Sequence, residues 1–205
     1  MEDSRLYHEG SRELQDRFDT RRIADRIEQV TLHRAFTDAE RDLIESAPMF
    51  FLATIDADGF PDVSYKGGMP GFVRVVGEST LAFPNYDGNG MYKSLGNLRV
   101  NPRVGLVFLR WAERQRKLRV QGSASLHFDD PLLAEMPGAQ LIVRVEAERV
   151  FPNCPRYLHR MVVEEYSVYA PKQEHEPPIP EWKREPEFRD ALPERDLAAL
   201  AEEQG

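Results

Sequence analysis

The chain has 205 residues, a length that usually forms one domain with terminal extensions. Its 35 acidic and 27 basic residues give a net charge of −8, which excludes a broad cationic surface for nucleic acid but leaves room for a local anion site. A single cysteine excludes an internal disulfide framework, and the longest apolar run, residues 48–55, is too short to cross a bilayer. The acidic N-terminus has no signal-peptide pattern, so we expect a cytoplasmic protein with neither a membrane nor nucleic acid as partner.

The first part of the chain is predicted to be helical. Residues 11–34 carry sparse apolar side chains spaced three or four apart, which is typical of one or two amphipathic helices. Thr37 and Glu40 have the spacing of a capping box and predict the start of another helix. We therefore assign residues 1–36 to an N-terminal helical arm.

From residue 49 onward, short apolar or alternating runs separated by turn residues predict strands. In chain order these cover residues 49–55, 60–66, 72–76, 80–83, 104–109, 118–128 and 141–150. Helices are expected over 91–100 and 155–170. Successive strands with few helices between them indicate an antiparallel barrel or sandwich. The Pro-rich, acidic residues 171–205 are predicted to be an extended C-terminal arm, which leaves 37–170 as the central domain.

The first candidate anion site follows the second predicted strand. Lys66 closes that strand, and Gly67 and Gly68 come directly after it. An ammonium group beside the exposed N–H groups of a glycine turn can hold a phosphate. The alternative, a glycine-rich hairpin with a solvated lysine, is favoured when this stretch is considered alone.

A second candidate is the loop over residues 85–94, which opens a predicted helix. Helix N-termini attract anions through their free N–H groups and their dipole. Asn89, Lys93 and Ser94 add side-chain donors near that end. The alternative is an ordinary loop whose Asn and Gly residues meet the needs of turn geometry.

A third candidate lies on the sixth predicted strand. Leu118 and Val120 share one face of that strand, and Arg119 and Gln121 share the other. An arginine on the face opposite the core can clamp a phosphate in bidentate fashion, although a routine solvated face explains the same pattern.

The other chemistry-bearing residues are interpreted as structural. The carboxylate pairs at 56/58 and 129/130 stand in turn contexts. The five histidines lack metal-ligand spacing, so no metal site is expected. Cys154 could react with a substrate or cofactor, but a lone cysteine is more often a small buried hydrophobe. No catalytic residue is assigned.

Taken in order, these segments resemble the pyridoxamine 5′-phosphate oxidase-like family of FMN-binding split barrels. The shared pattern includes Phe-Leu-Ala-Thr-x-Asp-x-x-Gly-x-Pro-x-x-Ser at 51–64 and Lys-Gly-Gly-x-Pro-Gly-Phe at 66–72. It continues with Asn-Pro-Arg-Val-Gly-Leu at 101–106 and Leu-Arg-Val-x-Gly at 118–122, so that about residues 40 to 170 are covered. The stretches at 67–72 and 151–157 resemble a branch other than the vitamin B6 oxidase itself.

The resemblance implies a mainly β fold with peripheral helices, namely a six-stranded antiparallel split β-barrel. It also implies a homodimer that binds FMN at the subunit interface and acts as an oxidoreductase on an unidentified small-molecule substrate. Carried over by position, Lys66 would meet the FMN phosphate and Arg119 would complete the site. The full set of predicted cofactor-binding residues is Ser64, Tyr65, Lys66, Gly67, Gly68, Asn89, Lys93, Ser94, Arg119 and Gln121.

Two other functions stay open from the sequence. The first is a flavin carrier or redox sensor without turnover. The second is a split barrel that holds haem or a deazaflavin. A haem-binding protein would need an axial histidine, and the sequence does not identify one. A deazaflavin-binding protein would need a larger basic groove, which the net negative charge of the chain does not suggest.

Overall fold

The computed structural model describes residues 4, 6–111 and 114–203. Its helices, in chain order, are α1 (Glu9–Arg17), α2 (Arg21–Thr31), α3 (Asp38–Ser46), α4 (Lys93–Val100), α5 (Pro186–Arg189) and α6 (Glu194–Glu202). Its strands are β1 (Met49–Ile55), β2 (Pro61–Gly67), β3 (Arg74–Val75), β4 (Thr80–Asn85), β5 (Arg103–Arg110), β6 (Arg116–His127) and β7 (Leu141–Asn153). Single 3₁₀ turns cover Pro131–Glu135 and Glu181–Arg184.

All the described strands join one antiparallel sheet in the order β2-β1-β5-β6-β7-β4-β3. Among the described residues no pairing joins the outer strands β2 and β3, so the sheet is not closed. The mainly β architecture with peripheral helices is confirmed. The resemblance implies six strands, whereas the sheet has seven, because Arg74–Val75 within the predicted 72–76 strand pairs with β4 at the edge.

The core lies on the inner face of this sheet. Phe50 and Leu52 of β1 are fully buried, and the Phe50 ring lies 4.9 Å from that of Phe83 and 5.1 Å from that of Phe108. The intervening Phe51 points to the other face and remains 37% exposed. Alternation along β1 therefore separates an inner face, which packs, from an outer face that stays accessible.

Helix α3 covers one end of the core through Leu43 and Ile44, which are buried. The predicted capping box is present, and the Glu40 carboxylate accepts the Thr37 N–H at 2.9 Å. This bond satisfies a donor that the first turn leaves unpaired, so the sequence pattern fixes the start of the helix.

Two segments differ from expectation. Residues 155–170 form turns and irregular chain instead of the predicted helix, and Gln115 Nε2 donates to the Leu158 carbonyl at 2.8 Å. The C-terminal arm is not extended over its described part, because α5, α6 and a 3₁₀ turn form there. Its residue Lys183 is only 5% exposed.

In the part of the chain that the structure describes, no helix has the length and apolar character needed to span a membrane.

Candidate functional site

A cavity of about 480 Å³ opens where β2, the loop after β4 and the start of α4 meet, a size typical of ligand sites. Asp62, Ser64 and Lys66 reach it from one face of β2, since they are spaced two apart on the strand. The predicted cofactor-binding residues that line this cavity are Ser64, Tyr65, Lys66, Gly67, Asn89, Lys93 and Ser94.

Lys66 is the unusual cation of this cavity. Its side chain is partly buried, and it makes no hydrogen bond or ion pair with any residue that the structure describes. Burial lowers the pKa of its ammonium group, and the negative charge of Asp62 opposes that shift only in part. A desolvated cation without a partner is stabilised by any anion that enters the cavity.

The two glycines after Lys66 serve packing. A Cβ at Gly67 would lie 2.6 Å from the Tyr65 ring, and one at Gly68 would lie 2.6 Å from the Phe72 ring. The Gly68 N–H already donates to the Pro48 carbonyl at 3.0 Å. Gly68 therefore cannot offer its N–H to the candidate anion nest, because that donor is used within the fold. Gly68 lies instead on the wall of the neighbouring cavity.

The start of α4 forms the opposite wall. Its N-cap residue, Tyr92, has left-handed backbone geometry, with φ 46° and ψ 27°. Ser94 in the first turn is buried and its hydroxyl lies 2.9 Å from that of Ser64, which joins the helix to β2. The first-turn N–H groups of a helix lack intrahelical acceptors, so this wall offers donors to a ligand.

Lys93 differs from Lys66 because it has a partner. Its Nζ donates to Asp56 Oδ2 at 3.2 Å, and Asp56 Oδ1 also accepts the N–H groups of Asp58 and Phe60. The turn role predicted for this carboxylate pair is confirmed for Asp56. Hydrogen bonds, first from the Phe60 N–H and then from Lys93, hold the pKa of Asp56 below its usual range.

Asp87 lines the cavity where the loop after β4 borders it, and the sequence analysis did not identify it as a site residue. Asp87 accepts hydrogen bonds from Lys183 and Arg195 of the C-terminal segment. No local pattern could indicate these contacts, since they join residues about a hundred positions apart.

A second cavity, of about 370 Å³, adjoins the first and shares Tyr65, Gly67, Tyr86 and Asp87 with it. Its walls are richer in aromatic side chains, and residues 161–171 form one side. The aromatic members are Tyr65, Tyr86, Trp111, Tyr166 and Tyr169. The polar cavity thus opens beside a space suited to a flat apolar group.

Arg119 and Gln121 do not line these cavities in the single chain. They lie on the outer face of β6, as the alternation predicted, with Arg119 exposed. The strand registers place Arg119 in one row with Val107, Phe51 and Tyr65, so it is about 14 Å from Tyr65 across three strand spacings. Arg119 can therefore reach a ligand on this outer face, but not the inner wall beside Lys66.

The remaining candidates lie elsewhere. Cys154 is exposed, which contradicts its expected burial, and it does not line either cavity. None of the histidines in the described part of the chain lines either cavity. No group of three or more His, Cys, Asp or Glu side chains among the described residues is arranged to hold a metal ion.

Comparison with protein families gives a match to the model described as pyridoxamine 5′-phosphate oxidase over residues 36–168, more than half of the chain. A search of curated proteins found no match.

Several solved structures are similar to part of this chain at low sequence identity. HupZ of Group A Streptococcus is 21% identical, with a TM-score of 0.46, and the match covers 57% of this chain and 93% of HupZ. HutZ, the heme storage protein of Vibrio cholerae, is 18% identical, with a TM-score of 0.42 and coverage of 54% and 89%. General stress protein 26 of Bacillus anthracis is 14% identical, with a TM-score of 0.39 and coverage of 54% and 87%.

Proposed function

This chain belongs to the pyridoxamine 5′-phosphate oxidase family, and from that premise we propose that it binds FMN, with the phosphate in the cavity around Lys66. The observation that carries the proposal is the partly buried Lys66 ammonium, which makes no hydrogen bond or ion pair with a described residue and feels only the charge of Asp62. FMN supplies the phosphate dianion that such a cation lacks, and each charge-assisted hydrogen bond to it is worth about 1.5–3 kcal/mol.

The donors around the cavity fit a phosphate better than they fit haem. Lys66 lies on one wall and the N-terminus of α4 on the other, and Asn89 and Ser94 contribute polar side chains. The described histidines lie away from both cavities, so no imidazole is placed to ligate iron there. We therefore propose FMN as the cofactor.

The adjoining aromatic cavity suits the ring system of the flavin. It shares Tyr65 and Tyr86 with the polar cavity, which places a flat apolar space beside the proposed phosphate site. When bound, the flavin supplies hydride or electron transfer. The chain's own residues bind the phosphate, orient the ring through aromatic contacts and exclude water from it.

We also propose that the protein works as a homodimer. The outer row of Tyr65, Phe51, Val107 and Arg119 exposes apolar side chains beside a cation, with Tyr65 63% exposed. A second copy that covers this row would bury the apolar side chains and bring its ligand to Arg119.

The test is the chromophore of the purified protein. We expect a yellow protein that releases a flavin mononucleotide on denaturation, or a colourless one that turns yellow with added FMN. Failure to bind added FMN in either case would overturn the proposal. For the protein loaded with FMN, anaerobic reduction by nicotinamide cofactors identifies an oxidoreductase, whereas failure with every donor favours a carrier.

A further inference from the structure

The loop that lines the proposed phosphate cavity has the wrong charge for a phosphate. Residues 85–92 contain one carboxylate, Asp87, and no basic side chain. Asp87 lines both cavities, so an unpaired carboxylate there would repel a phosphate.

The C-terminal segment, residues 180–203, supplies the missing positive charge. Lys183 Nζ donates to Asp87 Oδ2 at 3.2 Å, and Arg195 donates to Asp87 Oδ1 at 2.7 Å. Both carboxylate oxygens therefore accept a hydrogen bond from a cation that lies about a hundred residues away in the chain.

The Lys183 side of this contact is buried, while the Asp87 side chain is about half exposed. Lys183 is 5% exposed, and its Nζ also donates to Asp196 Oδ1 at 2.9 Å. Burial alone would lower the pKa of Lys183, but the hydrogen bonds to Asp196 and Asp87 outweigh it and raise that pKa. Lys183 is thus held as a charged group between two carboxylates, which a buried ammonium requires.

Further hydrogen bonds connect Asp87 to the start of α4. Asp87 Oδ1 accepts a hydrogen bond from Gln140 Nε2 at 3.1 Å. Gln140 Oε1 in turn accepts from the Tyr92 hydroxyl at 3.1 Å and from Asn85 Nδ2 at 2.9 Å. A continuous chain of bonds therefore links Lys183 to the left-handed N-cap of the helix.

We infer that the C-terminal segment is part of the phosphate site, with Lys183 as a positioning residue and Arg195 as its auxiliary. Lys183 neutralises Asp87 and fixes the loop, so that the cavity presents Lys66 and the α4 N-terminus to the ligand without a competing negative charge from that loop. The inference rests on the proposed FMN site.

The experiment compares FMN with riboflavin, which has the same ring system and lacks the phosphate, in the full chain. We expect Lys183→Met to weaken FMN binding at least about tenfold and riboflavin binding less than about twofold. Lys183→Arg keeps the charge and should retain FMN affinity. Asp87→Asn combined with Lys183→Met should restore FMN affinity to within about threefold, because the loop over 85–92 then carries no carboxylate to repel the phosphate.

Three outcomes would overturn the inference: unchanged FMN affinity in Lys183→Met, an equal loss for both flavins, or a double variant as weak as the single one. If Lys183→Met does not fold, Arg195→Gln at the exposed end of the network replaces it, with an expected loss of about threefold for FMN alone.

If the wild-type protein binds no FMN, the proposed function is wrong, and the contact between Lys183 and the loop is tested separately. The test is then the rate of amide hydrogen exchange of residues 86–92 in the absence of ligand. Faster exchange in Lys183→Met supports the positioning role, and an unchanged rate overturns it.

Discussion

Lys66 and Lys93 line the same cavity, but they stand in opposite electrostatic situations. Lys93 is about half exposed and donates to Asp56 at 3.2 Å, whereas Lys66 is partly buried and has no partner among the described residues. A lysine that is already paired and solvated gains little from an added anion. A desolvated one recovers the cost of its burial when an anion binds. The two lysines therefore differ in burial and ion pairing, and this difference cannot be seen from their positions in the sequence.

The largest effect is expected at Lys66. Lys66→Ala should weaken FMN binding at least tenfold, about 1.4 kcal/mol, because it removes the unpaired charge. Fluorescence titration with FMN and riboflavin measures this effect, and riboflavin binding should change far less. The midpoint temperature of thermal unfolding of the unliganded variant should not be lowered, since no ion pair with a described residue is lost. Full FMN affinity in the variant would place the phosphate elsewhere.

Substitution of Arg119 tests whether the outer face of the sheet contributes to FMN binding. Arg119→Ala should weaken FMN binding about tenfold if a second copy brings its ligand to this face. Arg99→Ala removes the same charge from the exposed last turn of α4 and is the matched control. Sedimentation of both variants reports the oligomeric state. A monomer with unchanged affinity would restrict the site to the inner cavity.

The lowered pKa of Lys66 predicts a pH dependence. The ammonium is present below that pKa and is lost as the pH rises through it, so FMN affinity should fall at alkaline pH. Because burial lowers the pKa of Lys66, the fall should begin below the pH at which an ordinary lysine titrates. Titration with FMN at increasing alkaline pH measures this fall.

Lys66→Arg is the control for that titration, because a guanidinium stays protonated throughout the range. A variant profile as steep as the wild-type one would assign the pH dependence to another group.

The smallest effect is expected at Lys93. Lys93→Met should change FMN affinity less than about threefold, since its ammonium is already engaged by Asp56. The same titration measures it. A loss of FMN affinity equal to that of Lys66→Ala would contradict the proposed difference between the two lysines.

Local chemistry explains what the sequence predicted well. Strand β1 has the predicted bounds, because its apolar run is bordered by Pro48 and by the Asp56 turn. The capping box of Thr37 and Glu40 fixes the start of α3. In both places the decisive contacts join residues within a few positions of one another.

Long-range contacts explain what the sequence could not predict. The pairing of Lys93 with Asp56 and of Lys183 with Asp87 depends on how distant segments pack. The glycine turn is only a candidate anion nest from its sequence, and the sequence cannot show that the Pro48 carbonyl accepts the Gly68 N–H. Residues 155–170 have apolar side chains at helical spacing, but their backbone follows tertiary contacts such as that from Gln115.

Wild-type protein titrated with FMN and with riboflavin tests the central claim most directly, because the two ligands differ only by the phosphate. The account predicts that FMN binds more tightly by at least about tenfold, and that Lys66→Ala lowers this preference at least about tenfold. Equal affinity for the two flavins, or a preference that Lys66→Ala leaves unchanged, would contradict it.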